Sequence, residues 1–138
     1  MEHILIYCDG GARGNPGPSA IGVQVVDAEG KVLKEVSEKI GNATNSFAEY
    51  QAVLRGLEVA SQHFGNNTKD IHFEIKLDSE LVKKQLNNET QIMEPGLVPY
   101  FIAIHNLRVS TFPNLTFTQI SQELNKEADR LVNEALDA

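Results

Sequence analysis

The hydrophobic period of this chain changes near Phe47, and that change restricts the fold more than any other feature. Before it, Ile4 to Cys8, Ala20 to Val26 and Val32 to Ile40 are short apolar stretches suited to strands. The segment Gly10-Gly11-Ala12-Arg13-Gly14-Asn15-Pro16-Gly17-Pro18 joins the first two; its density of Gly and Pro reads as a loop. Ala28-Glu29-Gly30 reads as a tight turn, so the three strands form an antiparallel meander. From Phe47 onward, Tyr50, Leu54, Leu57 and Phe64 follow at helical spacing, and Gly65-Asn66-Asn67 ends the helix.

The period then alternates between the two types. Ile71, Phe73, Ile75 and Leu77 alternate with His72, Glu74 and Lys76, a strand with one buried face. A short helix is expected from Glu80 to Leu86, then an irregular stretch through Glu94-Pro95-Gly96. Leu97 to Leu107 reads as a helix with Pro99 in its first turn. Leu115 to Ile120 reads as a fifth strand and Lys126 to Leu136 as a last helix. The order β-β-β-α-β-α-α-β-α predicts an α/β fold with a five-stranded mixed sheet. Its first three strands are antiparallel, and strands one, four and five, linked through helices, are parallel.

A chain of 138 residues fits one domain, expected to cover residues 1–138. No apolar run reaches the length of a membrane span, and Ile4-Leu5-Ile6-Tyr7 is too short for a signal-peptide core. The single Cys8 excludes an intramolecular disulfide and a multi-cysteine metal site. These features point to a cytoplasmic address. The net charge of −7 argues against nucleic-acid binding, which usually shows a basic footprint. That objection weakens if several acids share a site with divalent cations.

Four acids stand at informative places. Asp9 is expected to end the first strand, Glu49 to lie in the first turn of the long helix, and Asp78 to end the fourth strand. Asp129 falls in the last helix, at the edge of the stripe Ala128, Leu131, Val132, Ala135 and Leu136. The carboxyl ends of parallel strands are where open α/β sheets build sites. Carboxylates without His or Cys partners suit hard cations. By position alone a second reading stays open: 19 residues are acidic, and an Asp at a strand end also serves as a turn or cap residue.

The words around these acids carry a family resemblance. Tyr7-Cys8-Asp9-Gly10-Gly11-Ala12-Arg13-Gly14-Asn15-Pro16-Gly17-Pro18 and Thr44-Asn45-Ser46-Phe47-Ala48-Glu49-Tyr50-Gln51-Ala52 resemble the first two signatures of type 1 ribonuclease H. Leu77-Asp78-Ser79-Glu80-Leu81-Val82 is similar to the third, and Asn125-Lys126-Glu127-Ala128-Asp129-Arg130-Leu131-Val132-Asn133 to the fourth. The four occur in family order across nearly the whole chain.

The resemblance implies a ribonuclease H-like fold and an endoribonuclease that hydrolyses the RNA strand of RNA–DNA hybrids, leaving 5′-phosphate and 3′-hydroxyl ends. It implies catalysis with two Mg²⁺ ions, Mn²⁺ being a possible substitute, held by Asp9, Glu49, Asp78 and Asp129 with Gly10 in the same metal set. Asn15, Asn45 and Ser46 are implied to read the minor groove, where the 2′-hydroxyl separates RNA from DNA. Thr44 is implied to hold a phosphate of the DNA strand. Turn formation or helix capping remains an alternative role for Asn15 and Asn45.

Other residues read more plainly. Cys8 is a buried strand residue. The histidines at 3, 63, 72 and 105 match no metal-ligand spacing, and His72 reads as a surface strand residue. Lys83 and Lys84 are candidate contacts to a nucleic-acid backbone or a solvated face. The loop Gln119 to Leu124 lacks the histidine of many relatives, so either Glu123 assists or the step proceeds through metal-bound water alone, with slower turnover. Glu80 replaces a common glutamine, and Lys83 to Pro99 lacks a basic, tryptophan-containing insertion. Two other functions stay in view: cleavage of A-form duplexes including double-stranded RNA, and a non-catalytic hybrid-binding module.

Overall fold

The computed structural model describes residues 1–138. The strands β1 (Glu2–Ala12), β2 (Gly17–Val26), β3 (Val32–Ala43), β4 (Ile71–Leu77) and β5 (Leu115–Gln119) form one sheet in the order β3-β2-β1-β4-β5. β1 and β2 pair antiparallel, as do β2 and β3, whereas β4 runs parallel to both β1 and β5. The mixed sheet and its strand directions are those expected from the periodicity. The helices are α1 (Asn45–Phe64), α2 (Glu80–Leu86), α3 (Val98–Ser110) and α4 (Lys126–Asp137).

The alternation of β2 decides how the layers divide. Ile21, Val23 and Val25 join the main core with Ile4, Ile6, Tyr50, Val53 and Leu57, on the side covered by α1. Ala20 lies on the opposite face, in a second cluster with Val132 and Ala135 of α4. β2 is thus buried on both faces, and its small residues there let α4 sit close: a Cβ on Gly22 would strike the Ala128 carbonyl. Burial of a core side chain such as Leu57 stabilises the fold by about 1.5–3 kcal/mol. Tyr50 keeps its hydroxyl satisfied in this core by donating to Gln85 Oε1 at 2.7 Å.

Several boundaries differ from those read in the sequence. β1 continues through Gly10 and Gly11 to Ala12, so the Gly/Pro loop shrinks to Arg13–Pro16. Those glycines do not break the strand. Gly10 passes so near the backbone of Ala48 and Glu49 that a side chain has no room. β3 runs on to Ala43, paired with Gly17. A 3₁₀ turn at Pro95–Leu97 precedes α3, which extends to Ser110.

Candidate active site

Because β1 and β4 run parallel in register, with Tyr7 opposite Lys76, Asp9 and Asp78 emerge side by side at the same end of the sheet. Asp9 lies within β1, opposite Gly22, and does not end it. Asp78 follows directly on the last residue of β4, as expected. Glu49 is the fifth residue of α1, just beyond its first turn, because Asn45 already begins the helix. The close passage at Gly10 brings Glu49 down onto β1.

One carboxylate oxygen each from Asp9, Glu49 and Asp78 lies within 4.8 Å of the others. Asp9 and Glu49 are buried, each 7% exposed, and Asp78 is half-buried. Asp129 is not in this close triad, yet it lines the same cavity of about 300 Å³ together with Asp9, Gly10, Glu49 and Asp78. Its half-buried position at the edge of the apolar stripe of α4 matches the helical reading.

The electrostatics are those of charges crowded without a counterion. Burial, and then the Asp78 and Asp129 charges, push Asp9 up to about 7. Burial and then the Asp9 and Asp78 charges hold Glu49 well above the ordinary carboxylate range. Asp78 is also raised, first by burial and then by Asp129. Glu49 Oε2 is buried and has no hydrogen-bond partner, a costly state for a carboxylate oxygen. An oxygen-only donor set of this kind, with an unpartnered buried oxygen, fits a hard divalent cation.

The groove residues are knitted into one support. Asn15 Oδ1 accepts from the Asn45 N–H at 3.0 Å, and Asn45 Oδ1 accepts from the Ala12 N–H at 2.9 Å. The loop after β1 is thereby fastened to the start of α1. Thr44, not Asn45, caps α1, its Oγ1 accepting from the Phe47 N–H. Asn15 and Asn45 are exposed, and Thr44 and Ser46 are half-buried. Lys83 and Lys84 instead form ion pairs with Glu89 and Glu80, at 3.0 and 2.9 Å. Lys84 therefore offsets the acid that replaces the common glutamine.

Three residues at the site were not singled out in the sequence. Asn125 is buried and donates from Nδ2 to the Cys8 carbonyl at 2.8 Å. Asn133, one turn beyond Asp129, donates to its carboxylate at 3.4 Å and to its carbonyl at 3.2 Å. Gln122, from the loop without histidine, lines the cavity. The i, i+4 spacing of Asp129 and Asn133 was a usable signal; the link from Asn125 to Cys8 depends on tertiary placement.

A family model described as reverse transcriptase-like matches residues 7–135. The ribonuclease HI of Halobacterium salinarum is 40% identical over 134 residues, covering 97% of this chain and 64% of that protein. The bifunctional protein Rv2228c of Mycobacterium tuberculosis is 34% identical over 98% of the chain, which spans 36% of its length. The chain thus spans roughly one to two thirds of the length of these curated relatives. Among solved structures, LC11-RNase H1 isolated from compost superposes with a TM-score of 0.94 at 45% identity, over 99% of this chain and 97% of that one. The same protein in complex with an RNA/DNA hybrid gives 0.93 at 45% identity, over 97% and 96%. With the sheet order, the family match over most of the sequence and these whole-length superpositions in agreement, the chain belongs to the type 1 ribonuclease H family.

Proposed function

We propose that residues 1–138 act as one ribonuclease H domain, an endonuclease that hydrolyses the RNA strand of RNA–DNA hybrids to 5′-phosphate and 3′-hydroxyl ends. The observation that carries this reading is the triad of Asp9, Glu49 and Asp78, three carboxylates converging within 4.8 Å with one buried oxygen unpartnered. The LC11 relative, solved with an RNA/DNA hybrid, supplies the substrate class. The proposed ligands are Asp9, Glu49, Asp78 and Asp129, with Gly10 beside them, holding two Mg²⁺ ions or Mn²⁺ in their place. Bound there, such ions activate water and stabilise charge on the leaving oxygen in phosphoryl transfer.

The chain's own residues set the geometry around that chemistry. Asp9 and Asp78 project from neighbouring parallel strands, so their separation is fixed by the sheet. Glu49 is held from α1, and Asp129 from α4 on the opposite layer, where Asn133 restrains its carboxylate. Asn15 and Asn45 spend their amide oxygens on backbone N–H groups, which turns each amide into a fixed donor for a 2′-hydroxyl or base edge. Thr44 and Ser46 add hydroxyls beside them, Thr44 toward a phosphate of the DNA strand. Gln122, from the loop without histidine, lines the same cavity and, as a neutral amide, would hold substrate without moving a proton. No helix is long and apolar enough to cross a membrane, and we assign the protein to the cytoplasm.

The deciding experiment incubates end-labelled RNA–DNA hybrid, double-stranded RNA and double-stranded DNA with the protein in Mg²⁺, Mn²⁺ or EDTA. Metal-dependent cleavage of the RNA strand of the hybrid is the expected result. Equal cleavage of double-stranded RNA would identify an A-form duplex nuclease instead. Binding without cleavage under every condition would identify a hybrid-binding module.

A further inference from the structure

Arg13 is the only cationic side chain among the residues lining the cavity that holds the four carboxylates. It opens the loop Arg13–Pro16 between β1 and β2, and that loop is fixed at its base. The Arg13 N–H donates to the Pro18 carbonyl at 2.8 Å, and Asn15 and Asn45 fasten the loop to α1. The Arg13 side chain itself is exposed. Its Nη2 lies 2.7 Å from Oδ1 of Asp137, the last residue of α4, which is exposed as well.

Two features set this ion pair apart from the other arginine pairs. The first is its looseness. Arg55 and Arg130 donate aligned hydrogen bonds to Glu38 and Glu134, at 2.8 and 2.7 Å, whereas Arg13 and Asp137 meet only as close charges. An exposed pair of this kind adds little to stability. Nor does α4 depend on it, because Lys39 Nζ donates to the Ala138 carbonyl at 2.9 Å, and Val132 and Ala135 pack on Ala20. The second feature is place. Asp129, Asn133 and Leu136 of α4 line the same cavity as Arg13, so the pair joins two of its walls. A guanidinium takes a carboxylate or a phosphate through the same fork of donors. Asp137 therefore occupies the group that a phosphate beside the carboxylates would meet first.

We propose that Arg13 binds a phosphate of the RNA strand beside the scissile one, and that Asp137 holds the guanidinium until that phosphate displaces it. The inference rests on the hybrid-cleaving reading of the carboxylate site. Arg13 is then a substrate-binding residue and Asp137 its internal competitor. The pair sets affinity and salt dependence and leaves the chemical step alone. In a chain of net charge −7, whose Arg55, Arg130, Lys83 and Lys84 are engaged in ion pairs elsewhere, such a cation next to the carboxylates counts.

The test measures binding of a fluorescein-labelled RNA–DNA hybrid by anisotropy across a salt series, in an Asp78→Asn background so that the probe stays intact. KM and kcat are measured separately with Asp78 in place. Arg13→Gln should weaken binding and raise KM about 10-fold, the loss of one charge-assisted hydrogen bond, with kcat unchanged. It should also reduce the slope of log affinity against log salt by about 1. Asp137→Asn should act in the opposite direction and tighten binding roughly 2- to 5-fold, the range of an exposed ion pair. That gain should largely vanish when Arg13→Gln is also present. A pair that merely staples the loop to α4 would make both variants bind more weakly. Binding by Asp137→Asn that is weaker or unchanged, an unaltered salt slope in Arg13→Gln, or a gain that persists in full without Arg13 would each overturn the proposal. A parent protein that cuts no hybrid while these binding effects hold would count against the nuclease reading and leave Arg13 a phosphate ligand.

Discussion

The Asn125 side chain donates to the carbonyl of Cys8 at 2.8 Å, linking the residue before α4 to the residue before Asp9. Two candidate ligands, Asp9 of β1 and Asp129 of α4, are thereby held in one frame. Asn125→Ala removes the donor and leaves a buried carbonyl unpaired, at a cost of about 1–3 kcal/mol. Urea denaturation should show this loss. Because Asp129 also loses its anchor, half-maximal cleavage should require several-fold more Mg²⁺. An unchanged Mg²⁺ requirement would show that the bond serves the fold alone.

The elements whose signal is local were legible in the sequence. α2 runs from Glu80 to Leu86 as expected, and Ser79 caps it through the Val82 N–H. β4 shows the alternation of Ile71, Phe73, Ile75 and Leu77 without a break. Gly10 misled because a glycine reports backbone freedom and close approach alike, and here the approach of α1 decides. Asp78 stood out at the end of β4, and Asp9 by the Gly-Gly after it, although β1 runs on past both glycines to Ala12. Asn125 and the Arg13–Asp137 pair did not, since each depends on contacts between segments distant in the chain. Asn15 and Asn45 were ambiguous between capping and recognition. The structure gives the cap to Thr44 and uses both amide oxygens to tie the loop to α1.

The raised carboxylates set a pH dependence that cation binding should reverse. Asp9 ionises near 3.8 when free and near 7 in the folded, cation-free protein. Between those values the folded state holds more protons than the unfolded state, so stability falls as pH rises through that window. Glu49 and Asp78 shift in the same direction and add to the slope. In EDTA the melting temperature should therefore drop from pH 5 to pH 8. Mg²⁺ should raise it most at pH 8, and Mg²⁺ affinity should weaken below about pH 7 as protons compete. A melting temperature in EDTA that rises over this range would contradict the crowding of unpaired charge.

Asp78→Asn separates the two consequences of that crowding. The amide keeps the shape of the side chain and removes a charge that raises both Asp9 and Glu49. The cation-free variant should melt higher than the parent at pH 8, while hybrid cleavage falls by more than ~100-fold, beyond the 10–100-fold typical of losing an outer-layer partner of a metal ligand. Cleavage on denaturing gels and thermal melts in EDTA measure the two effects. Activity close to that of the parent would remove Asp78 from the proposed ligand set.

Gly10→Ala tests whether the approach of β1 to α1 sets the site. A methyl group at this position would overlap the Ala48 carbonyl group and the Glu49 nitrogen, all main-chain atoms that cannot rotate away. Relief requires α1 to move off the sheet, and overpacking of this kind costs about 1–3 kcal/mol or more. The displacement carries Glu49 with it, so cleavage should fall further than stability predicts. Gly11→Ala is the control, because its Cβ would meet only a Val132 methyl at 3.5 Å, ordinary contact. Gly11→Ala should therefore keep most of the stability and activity, measured by denaturant melts and initial cleavage rates. Equal losses in the two variants would mean that the clash at Gly10 is not what positions Glu49.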